Sequence, residues 1–87
     1  MIVRVMAEGQ YRVDPQQFEQ LHALDDALLE ELEAGNQAKF QALLEQAVAV
    51  ARAGEKLSAE ELTPSDLILP PPDISLAEAK RWLESEA

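Results

Sequence analysis

The chain of 87 residues has no cysteine, three glycines, one tryptophan, one tyrosine, two phenylalanines and only seven basic side chains. Each scarcity excludes something. Without cysteine there are no disulfides, no thiolate zinc sites and no thiol catalysis. The three glycines, Gly9, Gly35 and Gly54, all sit where a turn or helix end is expected, so none is left over for a phosphate-cradling loop. Nowhere do about 18 apolar residues run together, as a membrane-spanning helix needs. The opening MIVRVMAEGQ lacks both a basic start and a long apolar stretch, so it predicts no secretory signal, and a cytoplasmic protein is the expectation. With seven bases against 17 acids the formal net charge is -10, a field that repels phosphate backbones and anionic lipid. Direct nucleic-acid or membrane binding is not expected.

What is present points to one small α+β domain spanning 1–87. Residues 2–13 alternate as two strands around Ala7-Glu8-Gly9. A three-residue hairpin loop with Gly9 in the left-handed conformation pairs Val5 with Tyr11, Arg4 with Arg12 and Val3 with Val13. It also gathers Val3, Val5, Tyr11 and Val13 on one face. This register sets Arg4 against Arg12, which like charges resist, so nearby anions are required: Glu8, C-terminal carboxylates or a partner's acids. One edge of such a hairpin stays unpaired and invites strand addition or dimerisation.

Asp14-Pro15 is a helix start, and Phe18, Leu21, Leu24, Leu28, Leu29 and Leu32 recur at helical steps up to Gly35. Asn36 opens a second helix, about 37–53, with Phe40, Leu43, Leu44, Ala47, Val48 and Ala51 as its stripe and Gly54 as its terminating cap. So short a connection predicts an antiparallel αα-hairpin of helices at about 15–34 and 37–53. Ser58-Ala-Glu-Glu61 reads as a capped turn over 58–62. Ser75-Leu-Ala-Glu78 is a second capping box, opening a short helix at about 76–84.

Between them lies Leu67-Ile68-Leu69-Pro70-Pro71-Pro72. Three adjacent apolar residues do not suit a flexible linker, and a bare triple proline is not a PxxP ligand. The expectation over 65–72 is an extended arm docked on the core, stiffened by prolines that aim the last helix and Trp82.

Candidate chemistry is sparse. His22, with Glu19 three residues before it, forms the Glu-x-x-His pattern of carboxylate-bridged metal sites, yet the other ligands such a site needs are missing, so no metal and no cofactor is implied. The serines sit at cap positions, and one histidine without a nucleophile beside it does not make a catalytic triad. The chain is therefore expected not to be an enzyme. From Asp14 to Gln37 there is no Lys or Arg, while Glu19, Asp25, Asp26, Glu30, Glu31 and Glu33 accumulate. That run is either a solvated face or a docking surface for a basic partner. The candidate partner-binding residues are Arg4, Tyr11 and Arg12 on the hairpin, Asp25, Asp26, Glu30 and Glu33 on the first helix, and Trp82.

Three stretches taken together, MIVRVMAEGQYRV, ALDDALLEELEAG and PSDLILPPPDISLAEA, resemble the PspA-associated (PspAA) family over nearly the whole chain. Val3-Arg4, Glu8-Gly9-Gln10-Tyr11 and Ser65 to Pro71 carry the likeness. The resemblance implies association with a PspA-like protein, a coiled-coil relative of ESCRT-III in the phage-shock response to envelope stress. It implies a place at the inner membrane only through that partner, and it supplies no catalytic residues. The contrasting expectation is a structural, homo-oligomerising subunit with no PspA contact.

Overall fold

In the computed structural model, residues 1–58 and 63–86 are described in backbone, and 1–58 and 63–81 in side chain. Residues 59–62 of the expected capped turn at 58–62 and the side chain of Trp82 fall outside these. Two strands, β1 (Ile2–Val5) and β2 (Gly9–Arg12), are followed by α1 (Pro15–Ala34) and α2 (Gln37–Arg52). Then come β3 (Glu55–Lys56), β4 (Leu67–Leu69) and α3 (Leu76–Glu86). The sheet order is β3-β2-β1-β4, with β4 parallel to β1 and the other pairs antiparallel. The class is α+β.

Local chemistry sets the helix ends. The Asp14 carboxylate accepts from the Gln17 backbone N–H at 2.7 Å, and the Gln17 side chain accepts from the Asp14 N–H at 2.9 Å. Pro15 takes the first helical position, where its missing N–H costs nothing. At the other end Gly35 adopts φ 74°. Its N–H donates to the Leu32 carbonyl, and Asn36 N–H donates to Glu31, the paired bonds of a Schellman cap. Asn36 then caps α2 through Lys39 N–H at 3.2 Å. The tight connection folds α1 back on α2.

One face of the sheet supplies Val3, Val5, Tyr11, Val13 and Leu69 to the core. Onto it pack Phe40, Leu44, Ala47, Val48 and Ala51 of α2, Leu21, Leu28 and Leu32 of α1, and Ile74 and Ala79 from the C-terminal segment. α2 meets β1 and β2, while α1 meets α2 and α3. Leu29, although it falls on the apolar pattern of α1, is exposed at 38%.

The hairpin register differs from the sequence expectation. Val5 lies opposite Gly9, Arg4 opposite Gln10 and Val3 opposite Tyr11. The turn closes with Glu8 N–H donating to the Val5 carbonyl, and Met1 and Val13 exchange hydrogen bonds at the far end. Ala7, at φ 73°, holds the left-handed position in the turn, and Gly9, which begins β2, also has a positive φ, 131°. The slip is by two residues, an even number, so the apolar face is kept while the Arg4–Arg12 opposition disappears. Nor do the hairpin edges stand open: β4 covers β1 and β3 covers β2. The outer edges that remain are three residues between Pro64 and Pro70 and two charged residues, Glu55-Lys56, both poor templates for strand addition.

Gly54 also differs. Its φ is not positive, and α2 ends on Ala53 in right-handed geometry. A Cβ on Gly54 would lie 2.4 Å from the Arg12 carbonyl oxygen. The glycine is there because the chain leaving α2 passes against the end of β2.

The arm is built in. The Asp66 carboxylate accepts from Ile2 N–H at 2.8 Å, and its own N–H donates to the Ile2 carbonyl. Gln10, buried on the outer sheet face, donates to the Thr63 carbonyl at 2.6 Å and to Ser65 Oγ at 2.8 Å. Past β4, Ile74 N–H donates to the Pro71 carbonyl, closing a turn through the prolines. Gln41 donates to the Pro72 carbonyl at 2.7 Å, and Gln37 accepts from Leu76 N–H at 3.0 Å. The start of α2 thus anchors the start of α3, which Ser75 and Glu78 cap reciprocally.

Candidate functional site: the solvent face of the first helix

α1 buries Leu21, Leu28 and Leu32, and the side of the helix next to that stripe is left to solvent. Along that side Glu19, His22, Asp26, Leu29 and Glu33 are exposed, at steps of three, four, three and four. This is the spacing at which one helix meets another along a seam. Glu30, also exposed, flanks the row. No Lys or Arg occurs anywhere on the helix, and Leu29 places an apolar side chain within the acidic row. Such a surface suits a helix with basic residues at matching steps.

Asp25 sits at the margin, half-buried. Burial, reinforced by the charge of Asp26 and opposed by His22, raises its pKa above the ordinary 3.8. A raised carboxyl pKa means that the folded state holds the proton more tightly, so the ionised form costs stability above the folded pKa. Asp25→Asn is therefore expected to raise the melting temperature at pH 7. The gain should shrink as pH falls and vanish below 3.8, which paired thermal melts across that range would show.

The remaining candidates do not join this face. Arg4 and Arg12 lie on the outer side of the sheet, away from the helices. Arg12 pairs with Glu55 at 3.4 Å. Glu8, an expected partner for these arginines, is instead bound by Arg52, whose Nε donates to Oε1 at 2.9 Å. Arg4 has no ionic partner among the described residues. Tyr11 is a core residue, with Lys56 above its ring at 5.9 Å, and so is not presented to a partner. His22 stacks edge-on against Phe18. Among the described residues no group of three or more His, Asp or Glu side chains could hold a metal, and no helix is long and apolar enough to cross a membrane.

Leu29 is what sequence reasoning placed wrongly. Its position beside Leu28 made it look like part of the core stripe, and only the packing of α2 and α3 shows which leucine is left outside.

Fold and surface together define a small α+β module whose long first helix offers an acidic, helix-spaced face. The family model of the PspA-associated proteins, PspAA, matches residues 1–87, and the chain belongs to that family. No curated protein and no solved structure matches it.

Proposed function

We propose that the domain is a non-catalytic adaptor that binds a PspA-like coiled-coil protein and regulates its assembly or recruitment in the envelope-stress response. On this reading it resides in the cytoplasm and reaches the inner membrane only through its partner. The observation that carries the reading is the exposed row Glu19, His22, Asp26, Leu29 and Glu33 on a helix without Lys or Arg, in a chain of the PspA-associated family. Opposite charges along two helices steer association and fix register, and an apolar contact at Leu29 adds affinity that salt does not screen. The structural-subunit alternative would self-associate through the hairpin edges or the helix pair, and the first of these routes has little to work with because both outer edges are short and blunted.

The test is affinity for a PspA-like protein from the same cell. Asp26→Lys/Glu30→Lys/Glu33→Lys should weaken binding. Exposed charge pairs contribute about 0.2–1 kcal/mol each, so losing three corresponds to a loss of about threefold to a hundredfold. Wild-type binding should also fall as salt is raised. Equal affinity for the two proteins at low salt would sink the reading.

A further inference from the structure

A second surface lies away from α1. The end of β1, the proline turn and the start of α3 enclose an open cleft of about 500 Å³, lined by Met6, Pro71, Asp73, Ile74, Glu78 and Arg81. Its floor is apolar, made by Met6, Pro71 and Ile74. Its rim carries both signs, with the carboxylates of Asp73 and Glu78 and the guanidinium of Arg81. No residue of α1 or α2 lines it.

Arg4 stands beside this cleft. Arg4 lies on the outer sheet face, two residues before Met6, which follows β1 at the start of the turn. It is exposed and has no carboxylate partner among the described residues. An exposed arginine near a half-buried methionine and an apolar cleft has the composition of a binding surface. Arg and Met are enriched there.

We propose that the cleft is a second docking site, and that it takes an amphipathic helix of the partner. An apolar side chain of that helix enters between Met6, Pro71 and Ile74. A basic neighbour lies toward Asp73 and Glu78, and an acidic neighbour faces Arg4 and Arg81. The mixed-sign rim decides the occupant. A purely basic or purely acidic ligand is repelled by one side of it, whereas a helix with an apolar row flanked by both charges satisfies all of it. The class of partner rests on the adaptor reading above. Because the cleft and the acidic face of α1 are separate surfaces, one domain then engages two helical segments, and the second contact forms at the raised effective concentration set by the first.

Three proteins are compared for affinity to the PspA-like protein: wild type, the α1 triple variant, and a cleft variant, Arg4→Glu/Arg81→Glu. Both cleft substitutions are at exposed positions, so the fold is retained, which a thermal melt checks. Met6→Asp is the second cleft variant and tests the apolar floor. Each cleft variant should weaken binding about fivefold or more, and the binding left to Met6→Asp should depend more steeply on salt than that of wild type. Unchanged affinity in both cleft variants, with the α1 variant still impaired, overturns this site and leaves the adaptor reading standing. No loss in any variant overturns both. A cleft variant that alters the solution mass of the isolated protein, while partner affinity stays constant, assigns the cleft to a second copy of this chain and likewise overturns the proposal.

Discussion

Leu69→Ser should leave the protein without a cooperative thermal transition. Leu69 is fully buried in β4, paired with Val5, and belongs to the core shared by sheet and helices. Truncating a buried leucine to alanine costs about 2–5 kcal/mol, and a serine hydroxyl without a partner adds about 1–3 kcal/mol. Domains of this size sit toward the low end of about 5–15 kcal/mol total stability, so the single change removes most of it. Adding Leu67→Ser, at a half-buried position on the same strand, should complete the loss. Circular dichroism on heating is the measurement. A melting temperature unchanged by both substitutions would mean that the segment before the triple proline is a tail, and the sheet would then have no fourth strand.

The second large effect is expected at Gly54. A methyl group there meets the Arg12 carbonyl oxygen at 2.4 Å and Val13 Cγ1 at 3.0 Å. Neither the carbonyl nor the buried valine can yield freely, since Arg12 is held in the β2–β3 pairing and Val13 is in the core. Gly54→Ala should cost about 2–3 kcal/mol, as overpacking commonly does, lowering the melting temperature by roughly 10–20 °C in so small a domain. Gly35→Ala is the control. At φ 74° it incurs only the left-handed penalty of about 1–2 kcal/mol, with nothing within 4 Å of the added carbon. Asparagine separates the two roles further: it should be tolerated at Gly35, where conformation is the demand, and not at Gly54, where space is. Equal tolerance of asparagine at both sites would return Gly54 to the role of an ordinary helix cap.

Both effects rest on contacts between segments distant in sequence, and this is where sequence reading and structure part. The helix limits of the αα-hairpin are written locally, in Asp14-Pro15, Gly35-Asn36 and the three-four spacing of leucines, because a cap or a stripe involves residues within a turn of one another. The capping box at Ser75 and Glu78 is legible for the same reason. The hairpin register was not. Both registers put Val3, Val5, Tyr11 and Val13 on one face, so the apolar pattern cannot choose between them. The choice falls to the turn, with Ala7 in the left-handed position, and to the Met1–Val13 closure. Of the candidate partner residues, Asp26, Glu30 and Glu33 prove exposed on one helix, Asp25 is half-buried beside them, Tyr11 is in the core, and Arg4 and Arg12 lie on another face. Exposure is a property of what packs on a residue, and nothing local encodes it.

The sequence by itself determined the α+β class, the two long helices, the extended arm before the prolines, the acidic character of the first helix and the family. The family rests on the likeness of three stretches spread along the chain; each of the others depends on composition or on neighbours within a few residues. Only the tertiary structure decided that the arm pairs in parallel with β1, that both hairpin edges are covered, that Gly54 is present for space, that Leu29 lies among the acids, and that Met6, Pro71, Ile74 and Arg81 meet around one cleft. These join residues up to 75 positions apart, and their energies depend on surfaces that exist only once the chain has closed on itself.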